Sequence, residues 1–358
     1  MYPLIAYGQN TTSVDDLIES AIKLRVGGEY EKAITQLSLA LENEPENIKA
    51  LNEKGDIRIK QGKYVKALQN FEKVLDINPN NIQALNGKAL SLYYLDRYDD
   101  SIDAYNAVLG EDPENISALI GIGDVFIKLE QFDDALLYFN NSLEKKPNNI
   151  SALNSKAQTF LRLNQYDNAL SFFDQTLKLD FDNVEAITGK GTVYFEQHDF
   201  EKAKKQFEES LSIQPNNIDV LLGMADVEYN SDKFIKSLQY YEQVISLDPD
   251  NSRALSGKAN SLTNLGRIDE ALWYYDEALE VDPDNISILE QKDNITREKF
   301  IQSIDFLILL GITSSSISIF TFVLRIKNKY QDKILKSRIS NIENKVEQIM
   351  DKLNKKID

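Results

Sequence analysis

The sequence predicts an all-α protein: a right-handed solenoid of eight helical hairpins, then one transmembrane helix and a short coiled-coil-like helix. Three observations lead there. Seven of the eight prolines recur at a fixed interval, the apolar positions between them follow helical spacing, and one uncharged stretch near the C-terminus is long enough to span a bilayer.

The prolines stand at Pro45, Pro79, Pro113, Pro147, Pro215, Pro249 and Pro283, 34 residues apart except for one gap of 68 whose midpoint is Phe181. A fixed period in this range marks a solenoid, in which each unit buries its apolar face on the next. Aligned on the prolines, a small residue recurs 24 positions upstream, at Ala21, Gly55, Ala89, Gly123, Ala157, Gly191, Ala225 and Ala259. Another stands 12 upstream, at Ala33, Ala67, Ser101, Ala135, Ala169, Ala203, Ser237 and Ala271. Eight upstream comes Leu37, Phe71, Tyr105, Phe139, Phe173, Phe207, Tyr241 or Tyr275. Small residues let two antiparallel helices approach, and large ones fill the space to the next hairpin. In the second repeat Tyr64, Ala67, Leu68, Phe71, Val74 and Leu75 form one apolar helix face. Gly28, Gly62 and Gly266 mark the turn inside a hairpin, where positive φ is needed. Runs such as Asn78-Pro79-Asn80-Asn81 stop one hairpin and cap the next.

This pattern resembles the tetratricopeptide repeat (TPR) family: a small residue early in the first helix, an alanine and an aromatic in the second, and a closing proline. The resemblance covers residues 14–285 as eight repeats, with Leu or Ile in place of the family's early tryptophan and Phe181 in place of one proline. It implies a scaffold that binds peptides and partner proteins. Ile286 to about Lys299 is expected as the helix that covers the last repeat, within a cap and linker at residues 286–304.

The membrane helix is expected at residues 305–325, since Phe306 to Leu324 contains no charged residue. Nineteen residues span about 28 Å, enough for the hydrocarbon core. In the basic tail, residues 326–358, Leu335, Ile339, Ile342, Val346, Ile349 and Leu353 alternate by four and three. That seam fits a homo-oligomer through the C-terminal helix; it fits equally a lone amphipathic helix on anionic lipid.

Arg325, Lys327, Lys329, Lys333, Lys336 and Arg338 crowd the C-terminal flank. The positive-inside rule therefore favours a cytoplasmic tail and an extracytoplasmic solenoid, the reverse topology being the alternative. In the N-terminal segment, residues 1–13, Leu4 to Gln9 resembles the end of a signal peptide, with Ala6 and Gly8 at cleavage-site spacing, so the true start is expected upstream of Met1. Sequons at Asn10, Asn115, Asn140, Asn149, Asn285 and Asn294 fit an external domain, but most fall in turns where Asn serves as a cap.

The net charge of −17 argues against nucleic-acid binding. From Arg325 onward ten Lys/Arg face five Asp/Glu, a net of +5, which leaves −22 for the rest. With no cysteine and only His198, which falls in a hairpin turn, no catalytic, metal or cofactor set is expected. The Gly-Lys pairs Gly87-Lys88, Gly189-Lys190 and Gly257-Lys258 lie inside first helices and lack the upstream glycine of a phosphate loop.

Function should then sit on the concave face, lined by first helices. By helical phase its residues include Lys49, Asn52, Asp56, Gln83, Asn86, Tyr93, Tyr94, Asp124, Lys128, Asn154, Gln158, Arg162, Phe195, Tyr229, Arg253 and Asn260. This mixed groove suits an extended peptide; Tyr93, Phe195 and Tyr229 could equally pack between repeats. The expected function is a membrane-anchored interaction scaffold, an assembly or secretion factor, with a non-catalytic regulatory subunit of a membrane-associated enzyme as the alternative.

Overall fold

The computed structural model describes residues 13–309, and the chain divides into two compact units at Pro249/Asp250. The remainder of the expected membrane helix, the basic tail and the N-terminal segment before Ser13 lie outside the described residues. Every described element is an α-helix.

The first unit holds seven hairpins: α1 (Val14–Val26) with α2 (Tyr30–Asn43), α3 (Ile48–Lys60) with α4 (Tyr64–Ile77), α5 (Ile82–Tyr93) with α6 (Tyr98–Glu111), α7 (Ile116–Lys128) with α8 (Phe132–Lys145), α9 (Ile150–Arg162) with α10 (Tyr166–Leu179), α11 (Val184–Glu196) with α12 (Phe200–Ile213), and α13 (Ile218–Asn230) with α14 (Phe234–Leu247). The second holds α15 (Ser252–Asn264), α16 (Ile268–Val281) and α17 (Ile286–Leu309).

Each boundary has a local cause. Asn47, Asn81, Asn115, Asn149, Asn183 and Asn217 cap the first helices of the first unit from the second repeat onward, each side chain accepting from the backbone N–H three residues on, as Asn47 Oδ1 does from Ala50 at 3.0 Å. Such a cap satisfies one of the orphan donors of a helix start. Asn251 does the same for α15 and Asn285 for α17. Asn115, Asn149 and Asn285 therefore use their side chains as caps. Phe181, which replaces the proline of the fifth repeat, stands 78% exposed in an ordinary turn, so the ring enters no core.

The turn inside each hairpin contains one left-handed residue. Gly28, Gly62 and Gly266 hold it as expected, but Asp96, Glu130, Asn164, His198 and Asp232 hold the same position in the other repeats with φ between 56 and 59°. The turn geometry is thus imposed by helix packing even where no glycine eases it.

Packing between hairpins depends on interlocked rings. Phe71 is fully buried, and a Cβ at Gly55 of its own hairpin would lie 2.6 Å from the ring, one at Gly87 of the next hairpin closer still. Phe207 sits the same way between Gly191 and Gly223. Within the first unit each first helix packs on the second helix before it and on its like neighbours, whereas no second helix packs comparably on another. The stack therefore curves with its first helices on the inner side.

In the second unit Ala271, Tyr275 and Ala278 of α16 are buried, as are Ile288 and Ile295 of α17. Helix α17 runs unbroken to Leu309, past residue 304 where the cap and linker were expected to end. No glycine or proline lies between Ile286 and Leu309 to interrupt it. No helix among the described residues is long and apolar enough to cross a membrane.

Candidate functional site: the inner face of the first helices

The inner face of the first unit holds a cavity of about 540 Å³ lined by Asp56 and Ile59 of α3, Gln83, Asn86, Gly87 and Leu90 of α5, Tyr105 of α6, Ser117, Ile120, Gly121 and Asp124 of α7, and Ser151 of α9. Four successive hairpins thus contribute to one site, with apolar walls and several hydrogen-bond acceptors.

Two carboxylates are set into it. Asp124 accepts from Ser155 Oγ at 3.0 Å, and burial pushes its carboxyl up to about 6, opposed by that hydrogen bond and reinforced by Glu185. Asp56 accepts from Gln83 Nε2 at 3.0 Å and is likewise raised, chiefly by burial. Neither has an ion-pair partner within 4.0 Å among the described residues. Desolvation disfavours the charged form of a carboxyl, and hydrogen bonds or nearby cations oppose it; around Asp56 the residues Gln83, Arg25 and Lys60 do so only in part.

The other candidates take varied places. Asn52 and Asn154 are almost wholly buried and brace the caps of the following repeats: Asn52 Nδ2 donates to Asn81 Oδ1 at 3.3 Å, and Asn154 Nδ2 to Asn183 Oδ1 at 3.1 Å and to Glu185 Oε2 at 2.8 Å. Asn86 donates to the carbonyl of Ile82, while its Oδ1 is buried with no partner. Tyr93 and Tyr94 belong to a tyrosine cluster: Tyr94 stacks on Tyr64 with centroids 4.5 Å apart, and Tyr93 meets Tyr98 at 6.2 Å. Burial pushes the Tyr93 phenol up to about 12. Phe195 and Tyr229 pack against Phe200 and Phe234 of their own hairpins, at 5.7 and 5.5 Å. Lys128 lies 6.0 Å from the Tyr93 ring, and Lys49 and Arg162 are exposed. Gln158 is half-buried on α9.

In the second unit Arg253 and Asn260 line a separate cavity of about 420 Å³ with Ser252, Ser256, Asp282, Asn285, Ser287, Ile288 and Gln291. Asn260 Oδ1 accepts from the Tyr275 hydroxyl at 2.5 Å.

Sequence reasoning missed three features. Tyr105 reaches the cavity because Gly121 leaves room for its ring. The glycines of the Gly-Lys pairs at 87 and 189 make space for Phe71 and Phe173 of the preceding repeats, and Lys190 pairs backward with Asp174 at 2.7 Å. The recurrence of glycine at 87, 121, 189, 223 and 257, all multiples of the repeat apart, was the available signal. Third, Lys204 of α12 and Glu228 of α13 form an ion pair at 2.6 Å, with the glutamate side chain 1% exposed. Elsewhere these two columns carry pairs such as Leu68 and Leu92, or Leu136 and Phe160.

TPR models match residues 48–81, 86–150, 121–184, 184–217 and 231–290. The chain belongs to the tetratricopeptide repeat family. No curated protein matches its sequence. Among solved structures it is similar to the APC/C hetero-tetramer Cut9-Hcn1, with a TM-score of 0.62 at 14% identity over 80% of this chain and 57% of that one. It is similar to yeast Tom70, with a TM-score of 0.62 at 18% identity over 87% of this chain and 69% of that one. A tetratricopeptide repeat protein from Parabacteroides merdae matches with a TM-score of 0.53 at 17% identity, over 79% of this chain and 98% of that one. At these identities the likeness is one of fold; the chain spans little more than half of the first.

Proposed function

We propose that this chain is a membrane-anchored protein-interaction scaffold, an assembly or secretion factor, that holds an extended segment of a partner protein along its first helices. The observation that carries this reading is the cavity lined from four successive hairpins. First helices packed side by side repeat about every 10 Å, and an extended chain rises about 3.3 Å per residue. A segment of roughly ten residues would thus cross the site. Its backbone N–H groups would meet the acceptors of the inner face, and its side chains the apolar walls between them.

The anchor rests on the uncharged stretch Phe306 to Leu324, into which α17 leads without a break. The basic flank from Arg325 supports a cytoplasmic tail and an extracytoplasmic solenoid. The test is protease digestion of sealed, right-side-out vesicles, probed with antibodies to the solenoid and to the tail. This reading expects the solenoid to be cut and the tail protected, with the full chain resisting alkaline carbonate extraction. Extraction into the soluble fraction contradicts the anchor; a protected solenoid with a cut tail reverses the topology.

A further inference from the structure

We propose that the cavity between the second and fifth repeats receives the cationic side chain, arginine or lysine, of the partner segment. This inference rests on the groove-binding reading above and names the chemistry it selects.

The argument is one of unmet acceptors. Asp56 and Asp124 line the same cavity, each with one hydrogen bond from a neutral side chain and neither with a cation within ion-pair distance among the described residues. Asn86, between them on α5, turns its amide N–H to its own helix and leaves a buried carbonyl oxygen with no partner. Asn86 Oδ1 is a buried acceptor without a partner, and the two half-buried carboxylates, each bonded once, have capacity for further donors. Buried acceptors left unpaired carry a desolvation cost that a charged multi-donor group relieves best.

The rest of the lining matches the remainder of such a side chain. Ile59, Leu90, Ile120 and the Tyr105 ring, which packs over Gly121, give an apolar wall for a methylene stem. An apolar wall ending in carboxylates fits an arginine or lysine and disfavours an acidic or purely apolar anchor. The raised carboxyl of Asp124 accords with this: a site built to hold a cation has an unfavourable charge when empty. The acidic body of the chain would also draw basic segments toward the face.

The test uses the full chain in detergent and four fluorescent nonapeptide pools, random except for a central Arg, Lys, Ala or Glu. Fluorescence polarisation is read for wild type, Asp56→Asn, Asp124→Asn and, as a charge-matched control on another face, Asp133→Asn. The expected result is binding of the Arg and Lys pools at least tenfold tighter than the Ala pool, with the Glu pool weakest. Asp124→Asn and Asp56→Asn should each erase most of that preference, whereas Asp133→Asn keeps it. Binding of the Arg pool should weaken as pH falls through about 6. Circular dichroism establishes that the variants are folded. Equal binding of all four pools, or an Arg preference unchanged in Asp124→Asn and Asp56→Asn, overturns the cationic anchor while leaving groove binding intact. Failure of every pool to bind overturns both.

Discussion

The Phe71 ring occupies the space that a side chain at Gly87 would need. The two residues belong to successive hairpins, so this contact transmits the register of one repeat to the next. Replacing Gly87 by Val should cost about 1–3 kcal/mol through overpacking. Phe71→Ala, which empties a fully buried site, should cost about 3–5 kcal/mol. In the double variant the added methyls enter the vacated space, so the two costs should fall short of their sum. Urea denaturation of the four chains measures the coupling.

The left-handed turn residue gives a second expectation. Glu130 and His198 adopt φ of 58 and 59°, where an L side chain is strained. Either residue replaced by glycine should gain about 0.5–1 kcal/mol, the relief of strain exceeding the entropy cost of glycine. Gly62→Ala, at φ 68°, should lose about 1 kcal/mol. Thermal melts check both signs.

Lys204 and Glu228 replace an apolar pair with a largely buried ion pair. Lys204→Leu should cost about 3–5 kcal/mol, because it leaves the buried glutamate only the Lys233 ammonium, 4.0 Å from its other oxygen. Joint replacement by two leucines restores the column seen at Leu68 and Leu92 and should be neutral or stabilising by about 1–4 kcal/mol. If the double variant is as unstable as the single one, the pair has a role beyond packing.

Asp124 sets a pH dependence. Its carboxyl stands at about 6 in the fold against an ordinary 3.8, so the native state binds the proton more tightly than the unfolded chain. Stability contributed by this group should therefore be greatest below pH 4, decline as pH rises to about 6, and stay low above that. Asp124→Asn should flatten that decline and raise stability at pH 7 by on the order of 2 kcal/mol. Denaturant midpoints between pH 4 and 8 check it.

Much of this was legible in the residues, because a period of 34 places each proline, small residue and aromatic at the same point of every hairpin. Helical phase also pointed Asp56, Gln83, Asn86 and Asp124 toward one face, where they meet. It did not separate groove from scaffold for Asn52 and Asn154, which face inward but give their amide N–H groups to the next repeat's cap. Phe195 and Tyr229 lie near the ends of first helices, and the tight turn folds the opening ring of the second helix onto them. Tyr105 was invisible because its reach depends on a glycine 16 residues away in the next hairpin. The swap of Lys204 and Glu228 looks like surface charge until its columns are compared across repeats.

Site-specific photo-crosslinking in intact membranes tests the central claim most directly, with the reactive side chain placed at Gln83 on the inner face or at Asp133 on α8. The account expects a discrete adduct from position 83, mapping to a single short segment of the crosslinked protein, and none from position 133. Equal labelling from both positions, or no adduct from 83, would contradict a partner segment held in the groove.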